Sequence, residues 1–191
     1  MSTITINFNK ILKLTDDQFY ELCQDNPEVK FERNVNGELI VMSPTGGETG
    51  NRNSEVNAEF VIWNRQTKLG KVFDSSTCFK LPNGSDRSPD VSWVKLERWN
   101  ALSDQQREKF PPIAPDFVLE LMSPSDSLSE TQAKMREYMD AKVRLGWLIE
   151  RETRYAEIYR LGQEVEVLKA GETLSGEDVL PGFVLNLEIL W

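Results

Sequence analysis

The sequence predicts a mixed α/β (α+β) domain in which a central mixed sheet is flanked by two long helices. Short apolar runs typical of buried strands alternate with segments that have a helical period. A content of 39% hydrophobic and 28% charged residues is typical of a globular chain, and no apolar run is long enough to span a bilayer. The 191 residues suffice for one domain with a sizeable core.

The N-terminal region, about residues 1–45, is predicted to hold one short helix and one hairpin. Residues 15–18 (TDDQ) form a capping-box pattern, which favours a helix that ends near Asn26. Segments 29–33 and 38–42 flank Asn36-Gly37, a strong hairpin signal. Residues 43–50 are rich in glycine, so we expect a flexible connector or, equally, the mobile rim of a site.

Two long helices are predicted from their 3.6-residue period. The first covers 53–69 and ends at Gly70, and the second follows a capping-box pattern at 127–130 and runs toward Gly146. Their apolar stripes are Val56, Phe60, Trp63 and Thr67 in the first, and Leu128, Met135, Met139 and Val143 in the second.

The strands of the sheet are predicted around these helices, within a core of about 46–161 and C-terminal outer strands of about 162–191. A short polar helix at 102–110 is expected to end before Pro111-Pro112. The whole chain, 1–191, is therefore expected to be one domain. The predicted strands are 71–74, 77–81, 90–94, 116–122, 147–149 and an outer hairpin of 155–161 with 165–168.

Composition excludes several chemistries. The chain contains no histidine, which removes Ser-His-Asp and Cys-His catalysis and every histidine-containing zinc site. Its two cysteines, Cys23 and Cys78, do not make a disulfide framework, and we expect reduced thiols in a cytoplasmic protein. Any catalysis must use carboxylates, lysines, hydroxyls or a metal held by oxygen.

The net charge of −9 does not suggest tight DNA binding by an isolated monomer. The charge is unevenly distributed, however, because residues 51–100 carry 8 basic and 6 acidic side chains. Clustered carboxylates also attract divalent cations, whose charge changes the potential of a site.

Two strands each deliver one carboxylate. Glu120 lies inside the apolar run 117–122, where an unpaired charge costs several kcal/mol, so it requires a metal, a cation or a shared proton. Asp90 opens the other apolar strand, and Lys134 follows Glu120 on the second long helix. Mg²⁺ or Mn²⁺ bound by such carboxylates, with a lysine nearby, is typical of phosphodiester cleavage.

Four motifs in order resemble the large bacterial family of restriction-endonuclease-like proteins, a domain of unknown function within the PD-(D/E)XK nuclease superfamily. They are SPDV at 88–91, DFVLELMSPSD at 116–126, KMREY at 134–138 and GWLIE at 146–150. The resemblance extends from about Leu39 to the LPGF segment at 180–183. It implies a restriction-endonuclease-like core and a metal-dependent endonuclease that hydrolyses phosphodiester bonds of DNA.

The resemblance also implies roles for individual residues. Asp90 matches the aspartate of the first half-motif, Glu120 the acid of the second half, and Glu55 the helical glutamate, with Glu59 as its nearest rival. Asp90, Glu120 and Glu55 would hold the metal. The lysine expected two positions after Glu120 is Met122 here, so the lysine of this branch is assigned to Lys134.

Other interpretations stay open. Glu120 is also compatible with a structural ion pair to Lys134 or Lys80. A non-catalytic module of the same fold that binds nucleic acid or a protein is the alternative function, and a metal-free hydrolase with two carboxylates is a third. A homodimer through the outer hairpin is expected from exposed aromatics: Tyr155, Tyr159, Trp99 and Trp191.

Overall fold

The computed structural model describes residues 3–169 and 173–191, so the predicted domain 1–191 includes residues 1, 2 and 170–172 that lie outside the described residues. The helices are α1 (Asp16–Asp25), α2 (Gly47–Thr67), α3 (Leu96–Asn100), α4 (Asp104–Glu108) and α5 (Leu128–Asp140), with a 3₁₀ helix at Leu187–Leu190. The strands are β1 (Thr3–Ile6), β2 (Lys30–Arg33), β3 (Leu39–Met42), β4 (Gly70–Asp74), β5 (Phe79–Lys80), β6 (Asp86–Arg87), β7 (Val91–Lys95), β8 (Phe117–Leu121), β9 (Leu145–Glu150), β10 (Tyr155–Arg160), β11 (Glu166–Lys169), β12 (Thr173–Ser175) and β13 (Val184–Asn186).

The central sheet has six strands in the order β11-β10-β9-β8-β7-β4. Strands β8 and β9 are parallel, and the other neighbours are antiparallel. Apolar residues of α2 pack on one face and those of α5 on the other. This arrangement confirms the predicted class of a mixed sheet flanked by two long helices.

Strand β8 divides its side chains between the two faces. Phe117, Leu119 and Leu121 belong to the core on the α2 side, whereas Val118 and Met122 belong to the core on the α5 side. Because side chains alternate along a strand, Glu120 lies on the α5 side. The acid is therefore directed toward the helix that carries Lys134.

A second sheet, of which the sequence indicated the hairpin and the strand at 77–81, has the order β1-β3-β2-β6-β5. The predicted hairpin is present as β2 and β3, with Gly37 at φ +81° in the turn. Strand β6, which directly precedes the Asp90 segment, pairs with β2 through Asp86 and Arg33. The N-terminal region is thus built onto the chain that leads into the site.

Both ends of α2 differ from the prediction. The helix begins at Gly47, so the expected connector of 43–50 is shortened to 43–46. Its last residue is Thr67, and the capping residue Lys68 adopts the left-handed conformation at φ +57°, so the helix stops before Gly70. Asn64 supplies the reason, because its side chain binds both the N–H and the carbonyl of Gly70 and fixes the turn into β4.

Other helix predictions were only partly right. The side chain of Ser127 accepts no capping hydrogen bond from a backbone amide of the helix, and its hydroxyl is instead hydrogen-bonded to that of Ser129 at 3.0 Å. Helix α5 ends at Asp140, well before Gly146. The helix predicted at 102–110 is limited to α4, which Ser103 caps, and α3 precedes it unpredicted.

The aromatic residues expected at a dimer interface are less exposed than the sequence suggested. Tyr159 is 3% exposed, whereas Tyr155, Trp99 and Trp191 are half-buried, and the two tryptophans pack against the cores of the same chain. This weakens the observation that motivated the homodimer, which stays a prediction for sedimentation at micromolar concentration to test. Among residues 3–169 and 173–191, no helix is long and apolar enough to cross a membrane.

Gly70 provides a test of this packing. A Cβ built on it would lie 2.3 Å from both the Trp93 ring and the Val94 carbonyl. We expect Gly70→Ala to lower the free energy of unfolding by about 2 kcal/mol or more, as overpacked core sites do. Gly47→Ala, where no atom lies within 4 Å, is the matched control and should be neutral or slightly stabilising. Equal urea midpoints for Gly70→Ala and wild type would contradict this account.

Candidate active site

Strand pairing sets Asp90 opposite Glu120. Val91 pairs with Leu119 in the antiparallel ladder of β7 and β8, so one step further Asp90 faces Glu120. Residues directly opposite each other project to the same face of a sheet. The backbone N–H of Leu121 donates a 2.9 Å hydrogen bond to Asp90 Oδ2, which fixes this position.

The two carboxylates line a cleft of ≈ 610 Å³ between the N-terminal sheet and α5. Strand β2 contributes Lys30 and Glu32 to its walls, and α5 contributes Lys134. Asp90 and Glu120 are 8% and 7% exposed, so both acids lie almost entirely out of solvent. Burial of two facing carboxylates requires a source of positive charge.

Glu120 has two donors on one oxygen. Lys134 Nζ lies 2.8 Å from Glu120 Oε1, and the Tyr138 hydroxyl donates to the same oxygen at 2.8 Å. Burial nevertheless raises the pKa of Glu120 to about 7, because desolvation outweighs Lys134 and the charges of Asp90 and Glu32 add to it. The ion pair with Lys134 therefore only partly compensates the charge of this carboxylate.

Asp90 has a different environment. Its Oδ1 accepts a 3.3 Å hydrogen bond from Asn53 Nδ2 of α2. Burial raises the pKa of Asp90 above its ordinary value, although the Leu121 amide and the charge of Lys134 lower it. Asn53 Oδ1 is itself buried without a hydrogen-bond partner, so an orphaned oxygen lies beside Asp90.

Lys134 is held by two acids at once. Its Nζ contacts Glu120 Oε1 and, at 3.1 Å, Glu32 Oε1. These two carboxylates raise the pKa of Lys134 despite burial, which acts in the opposite direction. Lys134 is therefore a fixed cation, and the alternative partner Lys80 is bound instead to Asp16.

Glu32 is a site residue that the sequence did not reveal. It is 2% exposed and accepts hydrogen bonds from Arg87 Nη1 and from the Ser88 amide, both at 2.9 Å. The charges of Lys134 and Arg87 hold the pKa of Glu32 at about 2 against the effect of burial. An acid in a short alternating strand is typical of a solvent-facing position, so no local signal distinguished it.

Tyr138 was visible in the sequence only as a neighbour of Lys134. The two residues are four apart on α5 and therefore lie on one helix face. Tyr138 is fully buried, and burial beside Glu120 raises the pKa of its hydroxyl well above the ordinary value. It acts as a hydrogen-bond donor that restrains the Glu120 side chain.

The structure brings together three of the four predicted site residues: Asp90, Glu120 and Lys134. Glu55 does not join them, because it is exposed on α2 and does not line the cleft; Glu59 is exposed as well. The α2 residue that reaches Asp90 is Asn53, two positions earlier. A two-residue step on a helix changes the face, which explains the difference.

The donor set fits a divalent cation. The connected buried groups are the carboxylates Glu32, Asp90, Glu120 and Glu137 against the cations Arg87 and Lys134, a net charge of −2 when all are ionised. At the rim, Lys30 and Asp126 have opposite charges. Among the described residues no three acids or cysteines form a metal cage, so an ion here would keep water ligands.

The fold and the facing strand-borne carboxylates define a restriction-endonuclease-like protein. The chain belongs to the Uma2 family, described as "Putative restriction endonuclease", whose model matches residues 16–188. A crystal structure of a "putative nuclease belonging to DUF820" from Anabaena variabilis has a similar fold, with a TM-score of 0.77. The two chains are 20% identical, and the match covers 93% of this chain and 97% of that one. No curated protein matches the chain.

The raised pKa of Glu120 predicts an unusual pH profile in metal-free buffer. The folded protein retains a proton that the unfolded chain releases above pH 4.5, so the free energy of unfolding should fall from pH 4.5 to about 7 and then level off. The fall should be on the order of 3 kcal/mol. The low pKa of Glu32 affects the free energy of unfolding only below this window. The stabilisation by the ionised Glu32 carboxylate is lost as pH falls from 4.5 toward 2.

Glu120→Gln removes this titration. Its denaturant-unfolding profile should therefore be flatter than that of the wild type between pH 4.5 and 7. Parallel profiles over this window would show that Glu120 does not carry the effect.

Proposed function

We propose that the protein is a metal-dependent endonuclease that hydrolyses phosphodiester bonds of DNA. The observation that carries this proposal is the pair of facing, buried carboxylates, Asp90 and Glu120, with Lys134 bound to one of them in an open cleft. The family and the structural neighbour, both described as nucleases, support the reaction class. Restriction-endonuclease-like families generally use divalent metals, and the net charge of the site suits one.

Asp90 and Glu120 would hold Mg²⁺ or Mn²⁺, with Asn53 Oδ1 as a neutral oxygen beside Asp90. When bound, the ion supplies an activated water and neutralises charge on the phosphate. Glu55 is not assigned a ligand role, because it lies on the exposed side of α2. Tyr138 and Lys134 fix one Glu120 oxygen, which orients the carboxylate toward the cleft.

Lys134 acts as a cation and not as a base. Its pKa is raised by Glu120 and Glu32, so Nζ keeps its proton at neutral pH. A protonated lysine at this point attracts a phosphate oxygen and offsets the negative charge that develops during cleavage. Glu32 is the positioning residue, because it holds Nζ at 3.1 Å while Glu120 holds it at 2.8 Å.

The cleavage prediction uses isosteric variants. Asp90→Asn, Glu120→Gln and Lys134→Met should each lower the rate of plasmid cleavage in Mg²⁺ or Mn²⁺ at least about a hundredfold. The cause is the loss of ion binding in the first two and the loss of the fixed cation in the third. Initial rates with supercoiled plasmid and short duplexes provide the measurement.

Glu55→Gln is the matched control, because it also removes one carboxylate but from an exposed position outside the cleft. It should keep the wild-type rate. Cleavage that survives in Asp90→Asn or Glu120→Gln would sink the assignment. Cleavage by the wild type in excess chelator would favour the metal-free alternative, in which Glu120, with its pKa of about 7, serves as general base.

A non-catalytic module of the same fold is the second candidate function. The observation that favours it is Met122, which occupies the strand position of the expected lysine and packs in the core on the α5 side. Metal binding separates the two functions. Calorimetry should detect Mn²⁺ binding to the wild type and to Glu55→Gln, and none to Glu120→Gln, because only Glu120 faces Asp90. A wild type that binds no Mn²⁺ and cuts no substrate belongs to the second class.

A further inference from the structure

A second, smaller cavity adjoins the cleft at the end of β8. It has a volume of ≈ 250 Å³ and shares Met122 and Ser123 with the cleft. Its lining includes Arg52 of α2, Arg151 and Arg154 of the turn between β9 and β10, and the acids Glu150 and Glu152. In a chain with a net charge of −9, a cavity with three arginines against two glutamates is locally basic.

Arg151 lacks the partners that a guanidinium requires. Its Nε and Nη1 atoms are buried and donate no hydrogen bond. The neighbouring acid is not available to it, because Glu150 accepts hydrogen bonds at 2.8 Å from the backbone amides of Glu152 and Thr153 and one from the Thr153 hydroxyl. Unpaired buried donors are rare in folded proteins and indicate a missing acceptor.

Arg52 adds positive charge to the same cavity. Its Nε donates to the Leu190 carbonyl at 3.2 Å, which holds the side chain against the C-terminal segment. Among the described residues its acid partner is Glu48, which lies 3.5 Å away with a side chain that is 85% exposed, so solvent weakens the pair. Burial and the charge of Arg52 lower the pKa of Arg151, and the charges of Glu48 and Glu150 only partly offset this.

The chemistry of the cavity selects a phosphate. A guanidinium presents several N–H donors in a plane, which matches the oxygens of a phosphate group. Ser123 is three residues beyond Glu120, about 10 Å along an extended chain. Phosphates of one DNA strand advance about 3.4 Å each along the helix axis, so such a distance separates a cleaved phosphate from one a few nucleotides away.

We propose that Arg52 and Arg151 bind a backbone phosphate of the nucleic-acid strand whose cleaved bond lies in the adjoining cleft. The proposal rests on the proposed function for the identity of the ligand. The phosphate contact positions the nucleic-acid strand in the cleft and takes no part in catalysis. Because a phosphate contact carries no sequence information, its effect is the same for all sequences.

Binding of the full-length protein to a short fluorescent DNA duplex tests this assignment. Fluorescence anisotropy is measured in chelator, so that no cleavage occurs. Arg151→Ala should weaken binding about fivefold to tenfold and lower the slope of log K against log salt by about 1. Arg151→Lys, which keeps the charge but not the fork, should fall between the wild type and Arg151→Ala.

Arg107→Ala is the matched control. It removes the same charge from α4, outside both cavities, and should bind DNA like the wild type. Thermal unfolding verifies that the variants fold. Arg151→Ala should not be less stable than the wild type, because Nε and Nη1 of Arg151 make no hydrogen bond that the substitution could remove. Duplexes with neutral methylphosphonate links across the strand should bind wild type and Arg151→Ala with equal affinity.

Three outcomes overturn the proposal. The first is an affinity of Arg151→Ala for DNA within twofold of that of the wild type, and the second is a wild type that binds no DNA. The third is a wild type that inorganic phosphate stabilises, together with a DNA affinity that is unchanged in Arg151→Ala. This result would assign the cavity to a free anion. Conversely, the wild type could cut no substrate with Mg²⁺ while Arg151→Ala binds DNA more weakly than the wild type. This result would support the phosphate site and contradict the proposed nuclease activity.

Discussion

The ion pairs of Lys134 are the contacts on which the architecture of the site depends. This buried ammonium lies between Glu120 of the central sheet and Glu32 of the N-terminal hairpin, and Glu32 is bound in turn to Arg87. Removal of one member of such a network leaves an uncompensated charge, at a cost of roughly 3–5 kcal/mol. The network therefore ties the N-terminal sheet and α5 to the carboxylates and keeps the cleft between them at a constant shape.

The network is not neutral, and this gives the site its chemical character. Lys134 and Arg87 supply two positive charges against the four carboxylates Glu32, Glu137, Asp90 and Glu120. Burial raises the pKa values of Asp90 and Glu120, and the nearby positive charge does not fully offset it. Sites with such perturbed acids in a cleft are more often functional than structural, because evolution for stability alone would remove the repulsion.

The surroundings of Glu120 come from two parts of the chain. Met122 shares the strand face of Glu120 but packs in the core, and Lys134 contacts the carboxylate from α5. Glu32 contacts the same lysine, and Tyr138 donates to the Glu120 oxygen that Lys134 contacts. The family match from residue 16 onward includes the hairpin that carries Glu32.

The sequence by itself determined the fold class, the strands that carry Asp90 and Glu120, and the helix that carries Lys134, because these depend on local periodicity and on acids in apolar runs. Only the tertiary structure decided which side chains complete the site. Glu32 and Asn53 enter it through contacts with Lys134 and Asp90, over 102 and 37 residues of chain, and Glu55 stays outside it because it lies on an exposed face of α2. Such long-range contacts, and the charge balance that they create, depend on how sheets and helices pack, and no local pattern encodes them.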